Sequence, residues 1–200
     1  VRPGKLNIRS EKTQEWVLEQ RHWSALQKSI LQHHFDKLAF AAKEREMLYA
    51  AICREVLADP MAAGCLRLLG VGPVNAFCAV ATIGDINRFQ SPEKLVNYLA
   101  LVPGRKQSGK GKDKKLGVGR RGRKEMRCLL IQAAQTLMRQ PKGANSLRDW
   151  GWKLLARKGN RNVAVVAVAR KMAIQIWHLL QGNCTTYEDQ KKSLTLKVAR

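Results

Sequence analysis

The 200 residues carry 37 Lys plus Arg against 15 Asp plus Glu, a formal charge of +22, and 45% of them are hydrophobic. That charge excludes the neutral surface of an ordinary metabolic enzyme, since it attracts any polyanion it meets, and the hydrophobic content excludes a disordered basic tail. Residues 1–100 hold 13 basic and 10 acidic residues and residues 101–200 hold 24 and 5, which makes the second half the polyanion binder.

The first element is predicted as one helix over residues 10–34, with Ser10 as N-cap and Trp16, Trp23 and Ile30 repeating at seven. A second helix is predicted from about Asp36 to Leu57. The two either pair as a hairpin within the chain or join partner copies in a coiled coil. Asp59-Pro60 marks a boundary. Leu66 to Leu69 reads as the end of a short helix, Gly70-Val71-Gly72 as a tight turn, and Pro73 as the first residue of the next helix. Apolar–Gly–apolar–Gly followed by Ala resembles a helix-hairpin-helix, in which Gly70 and Gly72 would present backbone N–H groups to a phosphate. The alternative is a plain helical connection whose glycines supply positive φ.

Asp85 reads as a turn cap after Gly84, and Ser91-Pro92 as the start of another helix that ends before Pro103. Residues 104–122 lack apolar periodicity, apart from a candidate strand near Leu116 to Val118. Six glycines there alternate with Arg105, Lys106, Lys110, Lys112, Lys114, Lys115, Arg120 and Arg121. Glycine lets backbone N–H groups approach a phosphate closely; the alternative is a basic linker. From Arg123 to Arg139, Met126, Leu129, Leu130, Ala133, Ala134, Leu137 and Met138 follow the helical period. A helix carrying Leu147, Trp150, Leu154 and Leu155 ends at Gly159, and a last helix over about Asn162 to Leu180 ends before Gly182. The first half of that last helix is apolar almost all round and is expected at the centre of the core. Trp150, Trp152 and Trp177 are expected as core anchors, and residues 183–200 as a flexible basic tail.

The fold class expected is therefore all-α apart from the loop: a helical connector over 1–59, a helical domain over 60–182, then the tail. No segment reads as a membrane span, because the apolar run Val163 to Ala169 stops at Arg170-Lys171. No signal-peptide core is visible. Cys53, Cys65, Cys78, Cys128 and Cys184 form no C-x-x-C pair, which predicts reduced thiols of a cytoplasmic protein and neither zinc nor a disulfide framework. The four histidines are scattered, and the acidic residues are too few and too far apart to hold a metal. Among the hydroxyls, Ser108 sits between Gln107 and Gly109 inside the basic glycine loop, where nearby cations would stabilise charge developing on a phosphodiester. An ordinary surface serine is the alternative.

The chain order of Leu69-Gly70-Val71-Gly72-Pro73, Ile83-Gly84-Asp85, Tyr98-Leu99-Ala100-Leu101-Val102-Pro103, Gln107-Ser108-Gly109, Leu129 to Ala134 and Ala167 to Lys171 resembles the C-terminal domain of the DEDD-type insertion-sequence transposases. These are the bridge-RNA-guided recombinases related to the pilin-gene invertase. The resemblance covers about Leu66 to Leu180. It implies a DNA transposase or recombinase in which Ser108 is the nucleophile. Arg105, Lys106 and Lys110 would clamp phosphates, and Arg120, Arg121, Arg123 and Lys124 would hold the nucleic-acid backbone. It also implies DNA, a guide RNA and further copies of the chain as partners, with no membrane, and Mg²⁺ held by a RuvC-like domain that these residues do not contain. Ala100 stands where the family usually has Gly, and Thr82 where it often has Glu. Val118-Gly119-Arg120 also departs from the usual segment. The alternatives are a nucleic-acid-binding remnant without chemistry and a helical scaffold.

Overall fold

A computed structural model describes residues 7–20, 22–106, 114–118 and 122–182. The chain forms two compact units, Val1–Ala51 and Ile52–Arg200.

In the first unit Ser10 caps α1 (Glu11–Leu18) as expected, its side chain accepting the Thr13 N–H. The predicted single helix over 10–34 does not form. Ser24 and Gln27 make a reciprocal capping box: the Ser24 hydroxyl accepts the Gln27 N–H at 3.2 Å and the Gln27 amide oxygen accepts the Ser24 N–H at 2.8 Å. The Trp23 indole N–H turns back to donate to the Val17 carbonyl at 2.8 Å, so Trp16 and Trp23 lie on either side of a break. Beyond it a single helix, α2 (Ala25–Ala58), runs through the expected start near Asp36. No Gly or Pro lies between residues 25 and 58 to stop it.

In the second unit Asp59 accepts the Met61 N–H at 2.8 Å and caps α3 (Pro60–Cys65). This helix ends earlier than predicted. Residues 66–68 bond three positions back, to Ala63, Gly64 and Cys65, and that tighter winding closes the helix. Next come α4 (Pro73–Ile83), a 3₁₀ turn (Ile86–Arg88) capped by Asp85, and α5 (Pro92–Tyr98). The glycine-rich stretch is not all loop. Strand β1 (Pro103–Lys106) pairs antiparallel with β2 (Lys114–Val118). The chain then forms α6 (Lys124–Met138), α7 (Ser146–Lys158) and α8 (Arg161–Leu180). Gly159 at φ +66° ends α7 and Gly182 at φ +74° follows α8.

Helix α8 is the centre, touching α3, α5, α6 and α7. It buries Ala164, Val165, Val168, Ala169, Met172, Ala173, Ile176 and Leu180. It is also long and apolar enough to cross a membrane, contrary to the sequence expectation, because Arg170 and Lys171 do not disqualify an apolar stretch of 18 residues within it. Its buried contacts identify it as a core helix. The α6 stripe packs as predicted for Met126, Leu130, Ala133, Ala134, Leu137 and Met138, which are buried, but not for Leu129, which is half-buried. Burial of each large side chain contributes about 1.5–3 kcal/mol. Gly151 lets α7 approach α8 closely: an added Cβ would lie 2.7 Å from a Val168 methyl. Trp150 and Trp177 pack against the core, but Trp152 does not, being 39% exposed. Two positions on from Trp150, it falls on the far side of α7, and its N–H donates to the Met138 carbonyl at 2.9 Å.

The described cysteines are free. Burial, with a smaller contribution from the Asp59 charge, pushes the Cys65 thiol up to about 12, so it packs as an inert apolar group.

Candidate nucleic-acid interface

Three features lie at the α3–α4 turn, at the ribbon and at the start of α6. The turn separates the roles of its two glycines. Gly70 has φ +88°, and a Cβ there would lie 2.7 Å from the Ala133 carbonyl oxygen and 3.3 Å from the Leu137 Cβ. Its lack of a side chain is used to seat the turn on α6. Gly72 has φ −99° and open space around a built Cβ. As the N-cap of α4 it offers no side-chain oxygen, so no side chain occupies the helix start.

The ribbon places like charges opposite one another. Arg105 is the cross-strand partner of Lys115, and Lys106 of Lys114, with an irregularity between Pro103 and Arg105. Ser108, Lys110, Arg120 and Arg121 lie outside the described residues, as does the expected tail over 183–200. Residues 104–127 as a whole contain 11 basic and two acidic residues.

The chain re-enters at Gly122 (φ +130°), where a Cβ would lie 2.8 Å from both the Ala100 Cβ and the Tyr98 carbonyl oxygen. Arg123 N–H donates to that carbonyl at 3.3 Å. Ala100 ends α5 at φ +52°, the only positive φ outside glycine among the described residues. Leu101 N–H reaches the Val96 carbonyl and Ala100 N–H the Asn97 carbonyl, which is the Schellman ending that glycine suits best. A glycine at this position would have a backbone reason. Ala100→Gly is expected to stabilise the fold by about 1 kcal/mol, the cost of left-handed backbone for an L-residue, read as a higher urea midpoint with an unchanged slope. A loss of similar size would mean that packing of the Ala100 methyl outweighs the strain.

Arg123 caps α6 without a side-chain bond to the helix; its Nε donates instead to the Tyr98 hydroxyl at 2.7 Å. That bond, opposed by slight burial, holds the Tyr98 hydroxyl below its ordinary pKa, with a further lowering from Arg88. The Arg88 guanidinium carbon lies 4.6 Å and 4.8 Å from the ring centres of Phe89 and Tyr98. Sequence reasoning named Arg123 but missed Arg88 and Tyr98. The adjacent Lys124 opens α6 and is exposed. Among the described residues no three His, Cys, Asp or Glu side chains come together to hold a metal.

Residues 65–147 match the family described as Transposase IS116/IS110/IS902 family. Over 187 residues the chain is 28% identical to the Sinorhizobium fredii protein y4qE, named as a transposase, a match covering 81% of this chain and 46% of that protein. It is 37% identical over 111 residues to the transposase for insertion sequence element IS1111A of Coxiella burnetii, covering 56% of this chain and 30% of the relative. The transposase for IS1328 of Yersinia enterocolitica is 31% identical over 120 residues, covering 60% and 35%. The chain spans less than half the length of these relatives. The family match covers residues 65–147, and the similarity to these transposases extends over part of each.

Proposed function

We propose that this chain grips nucleic acid for an insertion-sequence transposase and contributes the serine that exchanges DNA strands. The observation that carries the reading is the transposase-family match over 65–147, inside which a two-stranded ribbon sets basic residues opposite basic residues. In this reading the roles follow the chemistry of each part. Arg105, Lys106 and Lys110 bind phosphates beside the 107–113 segment. Arg120, Arg121, Arg123 and Lys124 hold the backbone towards the start of α6. The α3–α4 turn acts as a helix-hairpin-helix, with Gly72 leaving the start of α4 open to a phosphate.

Ser108 is the nucleophile of the proposal. Its hydroxyl oxygen bonds to phosphorus, the hydroxyl proton leaves, and a sugar oxygen departs and takes up a proton. The phosphoserine ester retains the bond, so a second strand end can displace the serine by the reverse step without another energy source. The surrounding cations stabilise the charge on the equatorial oxygens. A RuvC-like domain with Mg²⁺ would come from outside these residues, and a guide RNA would share the basic surface. A cytoplasmic location away from membranes suits these partners. Assembly with further copies is supported by α2, which exposes Leu26, Ile30, Phe40, Met47 and Leu48 along one long helix.

The test supplies a RuvC-like domain from a relative, Mg²⁺ and insertion-sequence end DNA to the 200-residue chain. A covalent protein–DNA adduct is expected, with loss to background in Ser108→Ala. Salt-sensitive binding without any adduct would leave a nucleic-acid-binding remnant. An adduct that persists in Ser108→Ala would remove the assignment of the nucleophile.

A further inference from the structure

Two arginines converge on one phenol from separate parts of the chain. Arg88 closes the 3₁₀ turn after α4, Tyr98 is the last residue of α5, and Arg123 caps α6. The Arg123 Nε is held by the Tyr98 hydroxyl at 2.7 Å, which leaves its two terminal amino groups for other acceptors. The Arg88 guanidinium lies over the Phe89 and Tyr98 rings and reaches the Thr82 carbonyl at 3.3 Å. Phe89 is 7% exposed and its carbonyl accepts the Trp177 indole N–H at 3.0 Å, so this aromatic floor is tied to the core helix.

Surface guanidiniums are usually neutralised by a carboxylate or left mobile in water. Among the described residues neither Arg88 nor Arg123 forms an ion pair; the ion pair found there joins Arg148 to Asp149. Two cations are thus pre-ordered against one ring. An anion placed beside them meets donors that have already lost their rotamer freedom. A phosphodiester matches the forked donors of arginine, and the rings lend a face to an adjoining base. The position also suits it, because Gly122 and Arg123 are pinned to Tyr98 where the chain leaves the ribbon segment.

We infer that Arg88, Tyr98 and Arg123 form a phosphodiester-binding site at the exit of the basic ribbon, with the phenol positioning Arg123 and both guanidiniums contacting the phosphate. The inference rests on the nucleic-acid reading above and adds Arg88 and Tyr98 to it.

The experiment measures binding of the 200-residue chain to fluorescent duplex DNA, single-stranded DNA and single-stranded RNA of mixed sequence across a salt series. The proteins are the unsubstituted chain, Arg88→Ala, Arg88→Lys, Arg123→Ala, Tyr98→Phe, and Arg157→Ala, an exposed α7 cation that controls for the loss of one charge. Arg88→Ala and Arg123→Ala should each weaken binding about five- to tenfold and reduce the log–log salt slope by about one. Arg88→Lys keeps the charge and should keep the slope while losing about twofold to threefold from the missing fork. Tyr98→Phe keeps the ring and should lose about twofold to threefold through the lost hold on Arg123 and the weaker hold on Arg88. Arg157→Ala should lose less than about twofold. The strand form that loses most identifies the occupant. Equal, small effects of Arg88→Ala, Arg123→Ala and Arg157→Ala, with salt-sensitive binding by the unsubstituted chain, would overturn the site and leave the function standing. Salt-independent or absent binding by the unsubstituted chain would overturn both. If Arg88→Ala does not fold, Arg88→Lys and Tyr98→Phe carry the decision: neither losing affinity overturns the site.

Discussion

Gly70→Ala should lower the unfolding free energy by roughly 2–4 kcal/mol, whereas Gly72→Ala, two residues away, should change it by less than about 1 kcal/mol. Gly70 sits at φ +88°, where an L-residue costs about 1–2 kcal/mol, and its new methyl would meet the Ala133 carbonyl at 2.7 Å. That carbonyl belongs to the backbone of α6 and yields only if the helix shifts. Ala133 and Leu137 are themselves buried in the core, so the shift would open packing contacts with α8. Gly72 lacks both penalties, having φ −99° and no atom within 4 Å of a built Cβ. Urea unfolding of the two variants separates them. Total stability of a domain is about 5–15 kcal/mol, so the Gly70 loss would move the midpoint far. Equal effects at the two positions would contradict the seating of the turn on α6.

Replacing Arg105, Lys106, Lys114 and Lys115 together by alanine should cost about a hundredfold or more in nucleic-acid affinity at low salt, with little loss of stability. Each phosphate contact given up removes close to one counterion from the binding equilibrium, and four such residues lie in the two strands. Stability should hold because the hydrophobic core is built by the helices around α8, not by these four residues. An unfolded variant would mean that the pairing depends on these side chains in the absence of any anion.

The elements most legible in the sequence are those where one local signal acts alone. The α6 stripe from Met126 to Met138 has a single apolar period, and Asp59-Pro60, Ser91-Pro92, Gly159 and Gly182 mark helix ends by local backbone chemistry. Residues 19–24 carried two competing signals. The seven-residue spacing of Trp16, Trp23 and Ile30 favours one helix, while Ser24 and Gln27 make a capping box that starts a new one. The box satisfies two backbone groups reciprocally and the exposed spacing satisfies none; Ile30 is 48% exposed. The strand at Leu116 to Val118 was legible, whereas its partner β1 was hidden by Gly104 and Lys106, residue types that disfavour strands in isolation. The Arg88, Tyr98 and Arg123 cluster had no sequence signal, because three elements meet there only through packing on α8. The meaning of Ala100 lies in φ +52°, which no residue pattern states.

The central proposal is that the basic ribbon is where this chain grips nucleic acid, and the salt dependence of binding tests it most directly. Plotting the logarithm of the association constant against the logarithm of salt concentration for the unsubstituted chain should give a steep negative slope. The fourfold ribbon variant should give a slope shallower by about three to four, as expected for four lost phosphate contacts. Identical slopes for the two proteins would place the grip elsewhere on this strongly basic chain and contradict the account.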